Sequence, residues 1–144
     1  MRDVLREEKK FLLHQAEALH LRSHLAAVLN GDPHNGADGY CVRSLYFDTL
    51  RDRDVQEKED GVELRRKLRL RVYSPRADFA LFEMKQKQGQ YQRKRSLRLS
   101  RAEAQALIAG DQSVLLRGGG EFGAECYAMM QMHLYRPKAI VEYD

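Results

Sequence analysis

Cysteine is scarce in this chain. The only two, Cys41 and Cys126, lie too far apart to suggest a disulfide framework or a zinc knuckle, and both read as buried thiols. No apolar run approaches the roughly 18 residues that a membrane span needs. The opening Met1-Arg-Asp-Val-Leu-Arg-Glu-Glu-Lys-Lys10 is charged and has no apolar core before a small-residue cleavage site, so it does not read as a secretory leader. The expected compartment is cytoplasmic. There is no Walker-type glycine loop, which excludes nucleotide handling of the P-loop kind, and there is neither an internal repeat nor a low-complexity tract. What is present is one domain's length or less, 144 residues, with 43% apolar and 32% charged side chains. That balance argues against disorder and against a fibrous chain.

Acid is nearly missing from one stretch. Residues 65–101 hold 13 Lys and Arg against only Asp78 and Glu83, a balance of +11, while the remainder of the chain is −7. Such asymmetry implies a cationic face with a polyanionic partner: nucleic acid, anionic lipid or a phosphate chain.

Hydrophobic periodicity organises the chain. Arg6–Leu13 reads as a short strand, with Arg6, Glu8 and Lys10 on one side. Gln15–Leu29 reads as a helix, with Leu21, Leu25, Val28 and Leu29 at helical spacing and Asn30-Gly31 as its stop. Residues 30–39 form a turn-rich loop and Tyr40–Thr49 a strand, and the acidic Asp52–Asp60 is expected to be a solvated connection. Glu63–Tyr73 is the clearest element. Its odd positions Arg65, Lys67, Arg69 and Arg71 make a cationic row, and its even positions Leu64, Leu68, Leu70 and Val72 make an apolar one. Phe79–Lys87 repeats the pattern with Glu83, Lys85 and Lys87 opposite Ala80, Phe82 and Met84, and Gln92–Leu99 adds a third basic segment. Ser100-Arg-Ala-Glu103 is a capping box that opens a helix closed by Gly110. A Gly118–Gly120 linker leads to a helix over Glu121–Leu134, whose Tyr127, Met129, Met130, Met132 and Leu134 suit packing. Lys138–Tyr143 is the last strand. This order predicts an α+β chain with a mostly antiparallel sheet.

Three neighbouring cationic rows with so little interleaved acid cost stability unless an anion offsets them. Single-stranded nucleic acid usually adds aromatic stacking platforms, and only Tyr73 and Tyr91 are placed to serve. Glu8 between Arg6 and Lys10, and Glu83 two residues from Lys85, instead set carboxylates among cations. That mixture suits a metal–polyphosphate complex, with carboxylates for the metal and Arg and Lys for phosphate oxygens. His20 and His24, four apart but without an acidic neighbour, read as ordinary surface, and Asp48 reads as a turn or cap residue.

Several motifs together resemble the VTC domain of polyphosphate polymerases, within the triphosphate tunnel metalloenzymes and related to the CYTH adenylyl cyclases and triphosphatases. They are Arg6-x-Glu8-x-Lys10-Phe, Ser44-Leu-Tyr-Phe-Asp-Thr49, Gly61 followed by Arg65-x-Lys67-x-Arg69-x-Arg71-x-Tyr73, Phe82-Glu83-x-Lys85, Arg93-x-Arg95 and Val141-Glu-Tyr-Asp144. The resemblance implies an antiparallel sheet forming part of a triphosphate-tunnel β-barrel with flanking helices. It implies transfer of the γ-phosphoryl group of ATP onto inorganic polyphosphate with a divalent metal, Mn2+ or Mg2+. By motif, Arg69, Arg71 and Lys85 are the catalytic cations, Lys10, Arg65, Lys67, Lys87, Arg93 and Arg95 bind phosphate, and Glu8 and Glu83 bind metal. A tripolyphosphatase of the same fold and a non-catalytic module for polyphosphate or an inositol polyphosphate are the alternatives. A nucleic-acid binder, the remaining class, would prefer oligonucleotide to tripolyphosphate at equal charge and salt.

The sequence departs from the resemblance in two places. Arg6 stands where CYTH relatives carry a first glutamate, so their two-glutamate metal site is not reproduced. In the family, Tyr-Asp normally precedes an Arg and several further strands, so residues 1–144 are expected to be the N-terminal part of a single domain, with open sheet edges that favour self-association. Weak or no turnover is therefore expected from these 144 residues alone. Product formation by a size-homogeneous monomer would refute that expectation.

Overall fold

The computed structural model describes residues 1–37 and 39–143. Asp38 of the turn-rich loop and Asp144 of the closing motif lie outside the described residues. The strands are β1 (Arg2–Glu7), β2 (Val42–Asp48), β3 (Leu64–Val72), β4 (Phe79–Gln88), β5 (Tyr91–Ser100) and β6 (Arg136–Tyr143). The helices are α1 (Gln15–Ala26), α2 (Arg53–Glu59), α3 (Arg101–Ile108) and α4 (Gly120–Met132), with a short 3-10 helix at Gln112–Leu116. The strands make one sheet in the order β1-β5-β4-β3-β2-β6, antiparallel at every pairing. This is the expected α+β architecture, with the sheet open from β1 to β6 among the described residues.

Period-two alternation divides the sheet into two faces. One carries Leu68, Leu70, Ala80, Phe82, Met84, Leu97 and Leu99, which pack with Phe47 against Leu107, Leu115, Phe122, Cys126 and Met130 of the helical layer. Burying each such side chain stabilises the fold by roughly 1.5–3 kcal/mol, and this layer fixes which side of the sheet is left for charge. Ser100 caps α3 as its capping box predicts, its hydroxyl accepting from the Glu103 amide at 3.3 Å while Glu103 accepts from the Ser100 amide at 2.8 Å. The Gly118–Gly120 segment is more than a linker. A Cβ on Gly123 would lie 2.0 Å from the Leu115 carbonyl oxygen, and one on Gly119 would lie 2.4 Å from it, so both glycines let α4 press against the 3-10 helix.

Several elements differ from the sequence reading, each for a local reason. The first strand lies over residues 2–7 rather than 6–13. Glu7 pairs with Tyr91, the first residue of β5, and beyond it β1 has no partner left. In α1 no residue is buried, so Leu21, Leu25, Val28 and Leu29 form an exposed stripe rather than a packed one. Met132 and Leu134 are likewise exposed, because α4 turns only its Met129 and Met130 flank to the core. Cys126 is fully buried, whereas Cys41 is only partly covered.

The acidic segment 52–60 contains the helix α2 where a connection was expected. Its start is built from a distance. Buried Asp48 accepts from the amides of Thr49 at 2.7 Å, Asp54 at 2.9 Å and Val55 at 3.1 Å, and Thr49 Oγ1 accepts from the Arg53 amide at 3.1 Å. Amides that would be orphaned at a helix start thus find side-chain acceptors four, six and seven residues upstream. Asp48 is thereby the cap that the sequence suggested. Asp54 is buried in turn, and Tyr135 donates to its Oδ1 at 2.8 Å.

Burial lifts the Asp54 carboxyl from 3.8 to about 6, against the hydrogen bond from Tyr135, with nearby Asp48 adding to the rise. Between these two values the folded state holds a proton that the unfolded chain has released, so stability falls as pH rises through that window. Asp54→Asn keeps an acceptor for Tyr135 and removes the titration. The melting temperature of the variant minus that of the parent is therefore expected to grow between pH 4 and about 6 and to level off above, as read from thermal melts across that range.

Candidate phosphate-binding face

The second face of the sheet carries the cations. Cross-strand register sets Lys67 opposite Lys85 and Lys85 opposite Lys94, while Arg69 faces Glu83 and Arg65 faces Lys87. Lys67, Lys85 and Lys94 therefore form a row across three strands, flanked along β3 by Arg65, Arg69 and Arg71. Like charges directly opposite each other are destabilising in an antiparallel pair. Lys67 shows the effect: burial, then the nearby ammonium of Lys58 and the charges of Lys85 and Arg65, push its pKa below the ordinary lysine value, with only the Tyr46 hydroxyl opposing.

One acid holds the centre of this face together. Glu83 is 1% exposed, with Arg69 Nε 2.6 Å from Oε2 and Lys94 Nζ 2.5 Å from Oε1. Burial alone would raise its pKa, but the Lys94 hydrogen bond and the charge and hydrogen bond of Arg69 outweigh it and leave the carboxyl below its ordinary value. Arg69 also reaches the Tyr46 hydroxyl at 3.4 Å, and Arg71 Nε donates to buried Ser44 at 3.1 Å. Fixed in this way, the two guanidiniums are pre-positioned, which suits the bidentate recognition of phosphate oxygens. In the middle of the row, Lys85 donates to Glu8 Oε2 at 2.8 Å, and that hydrogen bond lowers the Glu8 pKa despite an opposing desolvation effect.

Part of this face opens into a cleft of about 350 Å³ lined by Lys10, Lys58, Arg65, Arg66, Lys67, Lys85, Lys87 and Gln92, with Glu8 as its acid, while Arg69, Arg71 and Lys94 lie outside that lining. Of the residues expected to contact phosphate, Lys10, Arg65, Lys67, Arg69, Arg71, Lys85 and Lys87 are thus brought to one face. Arg93 and Arg95 are not. They alternate with Gln92 and Lys94 and share the helical side with Leu97 and Leu99. Arg95 is buried in a two-pronged pair with Glu125 of α4 (2.5 and 2.9 Å), donates to Gln86 at 2.8 Å and stacks 4.8 Å from the Phe122 ring centroid. Arg93 binds Asp3 of β1, with Nη2 2.6 Å from Oδ2. The structure thus places both off the charged face, each in an ion pair. Lys94 lies on the charged face instead, as the parity of Leu97 and Leu99 implies. Lys58 was missed because its helix was not foreseen.

The two glutamates do not make a metal centre in this arrangement. Glu83 is committed to two cations and Glu8 to a third. Among the described residues, no group of three or more His, Cys, Asp or Glu side chains is placed to hold a metal ion. Both act here as charge-balancing groups. His20 and His24 are exposed, with ring centroids 4.2 Å apart, and belong to no such group either.

The chain is thus an open antiparallel sheet with helices on one face and a fixed cationic row on the other. The VTC domain family matches residues 5–144, and the chain belongs to that family. No curated protein matches it. Among solved structures it is similar to a candidate adenylate cyclase from Bacillus halodurans, with a TM-score of 0.54 and 14% identity. The alignment takes in 97% of this chain and 62% of that one, so the present chain spans less than two thirds of its neighbour's length. At this identity the likeness shows the fold. No helix among the described residues is long and apolar enough to cross a membrane.

Lys67→Gln separates stability from binding. Removing one of the crowded ammoniums is expected to raise the melting temperature while lowering affinity for tripolyphosphate by about tenfold, the loss expected of one charge-assisted hydrogen bond. Arg93→Ala, on the opposite face, is expected to leave that affinity unchanged in the same titration.

Proposed function

We propose that this domain binds ATP and inorganic polyphosphate along the β3 row and transfers the γ-phosphoryl group of ATP to the end of the polyphosphate chain. The observation that supports the reading best is the single-sided cationic row of Arg65, Lys67, Arg69 and Arg71 with Lys85, Lys87 and Lys94, in a chain of the VTC domain family. Arg69 and Arg71, each held by a neighbour, would grip the reacting phosphates, with Lys85 beside them. Lys10, Arg65, Lys67 and Lys87 would hold the rest of the chain.

In this reaction a terminal oxygen of the acceptor chain attacks the γ-phosphorus. The bond from that phosphorus to the bridging oxygen breaks, and ADP leaves with the electron pair. Positioning and charge neutralisation are what this step chiefly asks of a protein, which is why a face without a nucleophile suffices. The divalent metal, Mn2+ or Mg2+, would enter on the phosphate oxygens of the nucleotide as part of the substrate. Residues 1–144 would supply one part of a single VTC-type domain in a cytoplasmic enzyme.

A binding-only module for polyphosphate is the second reading, favoured by the commitment of Glu8 and Glu83 to neighbouring cations. Incubating the full-length protein with ATP and Mn2+ and resolving the products on a gel decides between them. A polyphosphate ladder that disappears in Arg69→Ala/Arg71→Ala is the expected result. Phosphate release from tripolyphosphate without a ladder would reassign the domain as a hydrolase, and neither product would leave the binding module.

A further inference from the structure

The chain has two asparagines, Asn30 and Asn35, and glycine follows each of them. The backbone nitrogen after an asparagine can attack that residue's own side-chain carbonyl, and a glycine there lacks the Cβ that would obstruct the approach. Both pairs lie in the turn-rich loop between α1 and β2, but they are held differently. Asn30 and Gly31 are exposed, and neither the side-chain amide of Asn30 nor the backbone amide of Gly31 forms a hydrogen bond among the described residues. A Cβ placed on Gly31 would meet nothing within 4 Å. The backbone amide of Asn35 instead donates to the Asp32 carbonyl at 2.9 Å, and the Gly36 carbonyl accepts from the Gly39 amide at 3.3 Å in a β-bridge. Asn35 Oδ1 also lies 3.7 Å from where a Cβ on Gly39 would stand, so this side chain rests against the turn. These ties restrain the torsions that an attack at Asn35 has to change, and nothing comparable restrains Asn30.

We infer that Asn30 is a site of spontaneous covalent modification, converting to aspartate and isoaspartate through a succinimide, and that its turn protects Asn35. Hydroxide takes the proton of the Gly31 amide, and the nitrogen bonds to Cγ of Asn30. The Cγ–Nδ2 bond breaks, and Nδ2 leaves with the electron pair, gaining a proton from water to become ammonia. Water then adds to one of the two carbonyl carbons of the ring, the bond from that carbon to the Gly31 nitrogen breaks, and the nitrogen regains a proton. Opening at Cγ leaves a normal backbone with an aspartate side chain. Opening at the backbone carbonyl leaves isoaspartate, with the chain running on through Cγ. Hydroxide and water are the only co-reactants, and both reach an exposed loop. Either product sets a carboxylate just beyond the last turn of α1, where the Leu29 amide still donates to the Leu25 carbonyl at 2.8 Å, and a negative charge there opposes the helix dipole. The site is independent of the charged face and of the function proposed for it.

Incubation of the full chain at mildly alkaline pH, followed over time by peptide mass spectrometry, is the test. Trypsin releases residues 23–43 as one peptide that holds both asparagines, and fragmentation assigns the mass gain to one or the other. Loss of Asn30 is expected to run at least fivefold faster than loss of Asn35, with aspartyl and isoaspartyl products both present. Gly31→Ala, which the empty space around that residue admits, is expected to slow the loss at Asn30 by tenfold or more and to leave Asn35 unchanged. In denaturant the two asparagines are expected to react at similar rates. Equal rates in the folded chain, or faster loss at Asn35, would overturn the inference, and so would an Asn30 that stays intact when folded but reacts when unfolded. A fivefold gap that persists in denaturant would trace the difference to local sequence and overturn the protective role of the turn.

Discussion

Everything on the charged face depends on Glu83. Register sets three lysines side by side on β3, β4 and β5, an arrangement that repels itself. One carboxylate, almost fully buried, sits a residue-pair away and binds Arg69 on one side and Lys94 on the other. It joins the same three strands that the lysines push apart. A buried ion pair of this kind carries a large desolvation cost, so its contribution is less net stability than a fixed geometry: it holds the cations where an incoming anion meets them already aligned.

The same residue type has opposite fates on the two sides of one strand. On β5, Lys94 belongs to the charged face, while Arg95 is sealed under α4 by Glu125 and Phe122. Parity alone separates them, and parity was legible in the sequence. Leu97 and Leu99 are buried, and the residues two and four positions before Leu97 share their side. Arg93-x-Arg95 was assigned by motif, and strand parity places both on the helical side. Burial of Arg95 exacts a compensation: Glu125 and Gln86 accept from its two terminal nitrogens, and its guanidinium lies over the Phe122 ring.

The central hairpins and α3 were legible because each carried its own signal, strict alternation for β3 and β4 and a capping box for α3. Helix α2 was not legible, since its residues Arg53–Glu59 show no apolar periodicity and its cap, Asp48, lies outside the segment. The length of β1 was also set elsewhere, by where its partner β5 begins. In both cases the deciding interaction is between distant parts of the chain. The consequence for the candidate site is direct, because α2 supplies Lys58 to the wall of the cationic cleft.

The outermost of the described strands carry proline, charge and a register shift. At the β6 edge stand Pro137, which has no amide to donate, and Lys138, bound to Asp52 at 3.0 Å beside a register shift opposite Tyr46 and Phe47. At the β1 edge, Arg2, Asp3, Arg6 and Glu7 place a charge on four of six residues. Proline, bulges and charge are the features that discourage a further strand from adding to an edge. The cationic face extends this logic. Its mutual repulsion disfavours a second copy of the same face, as charge on the outer strands disfavours an added strand.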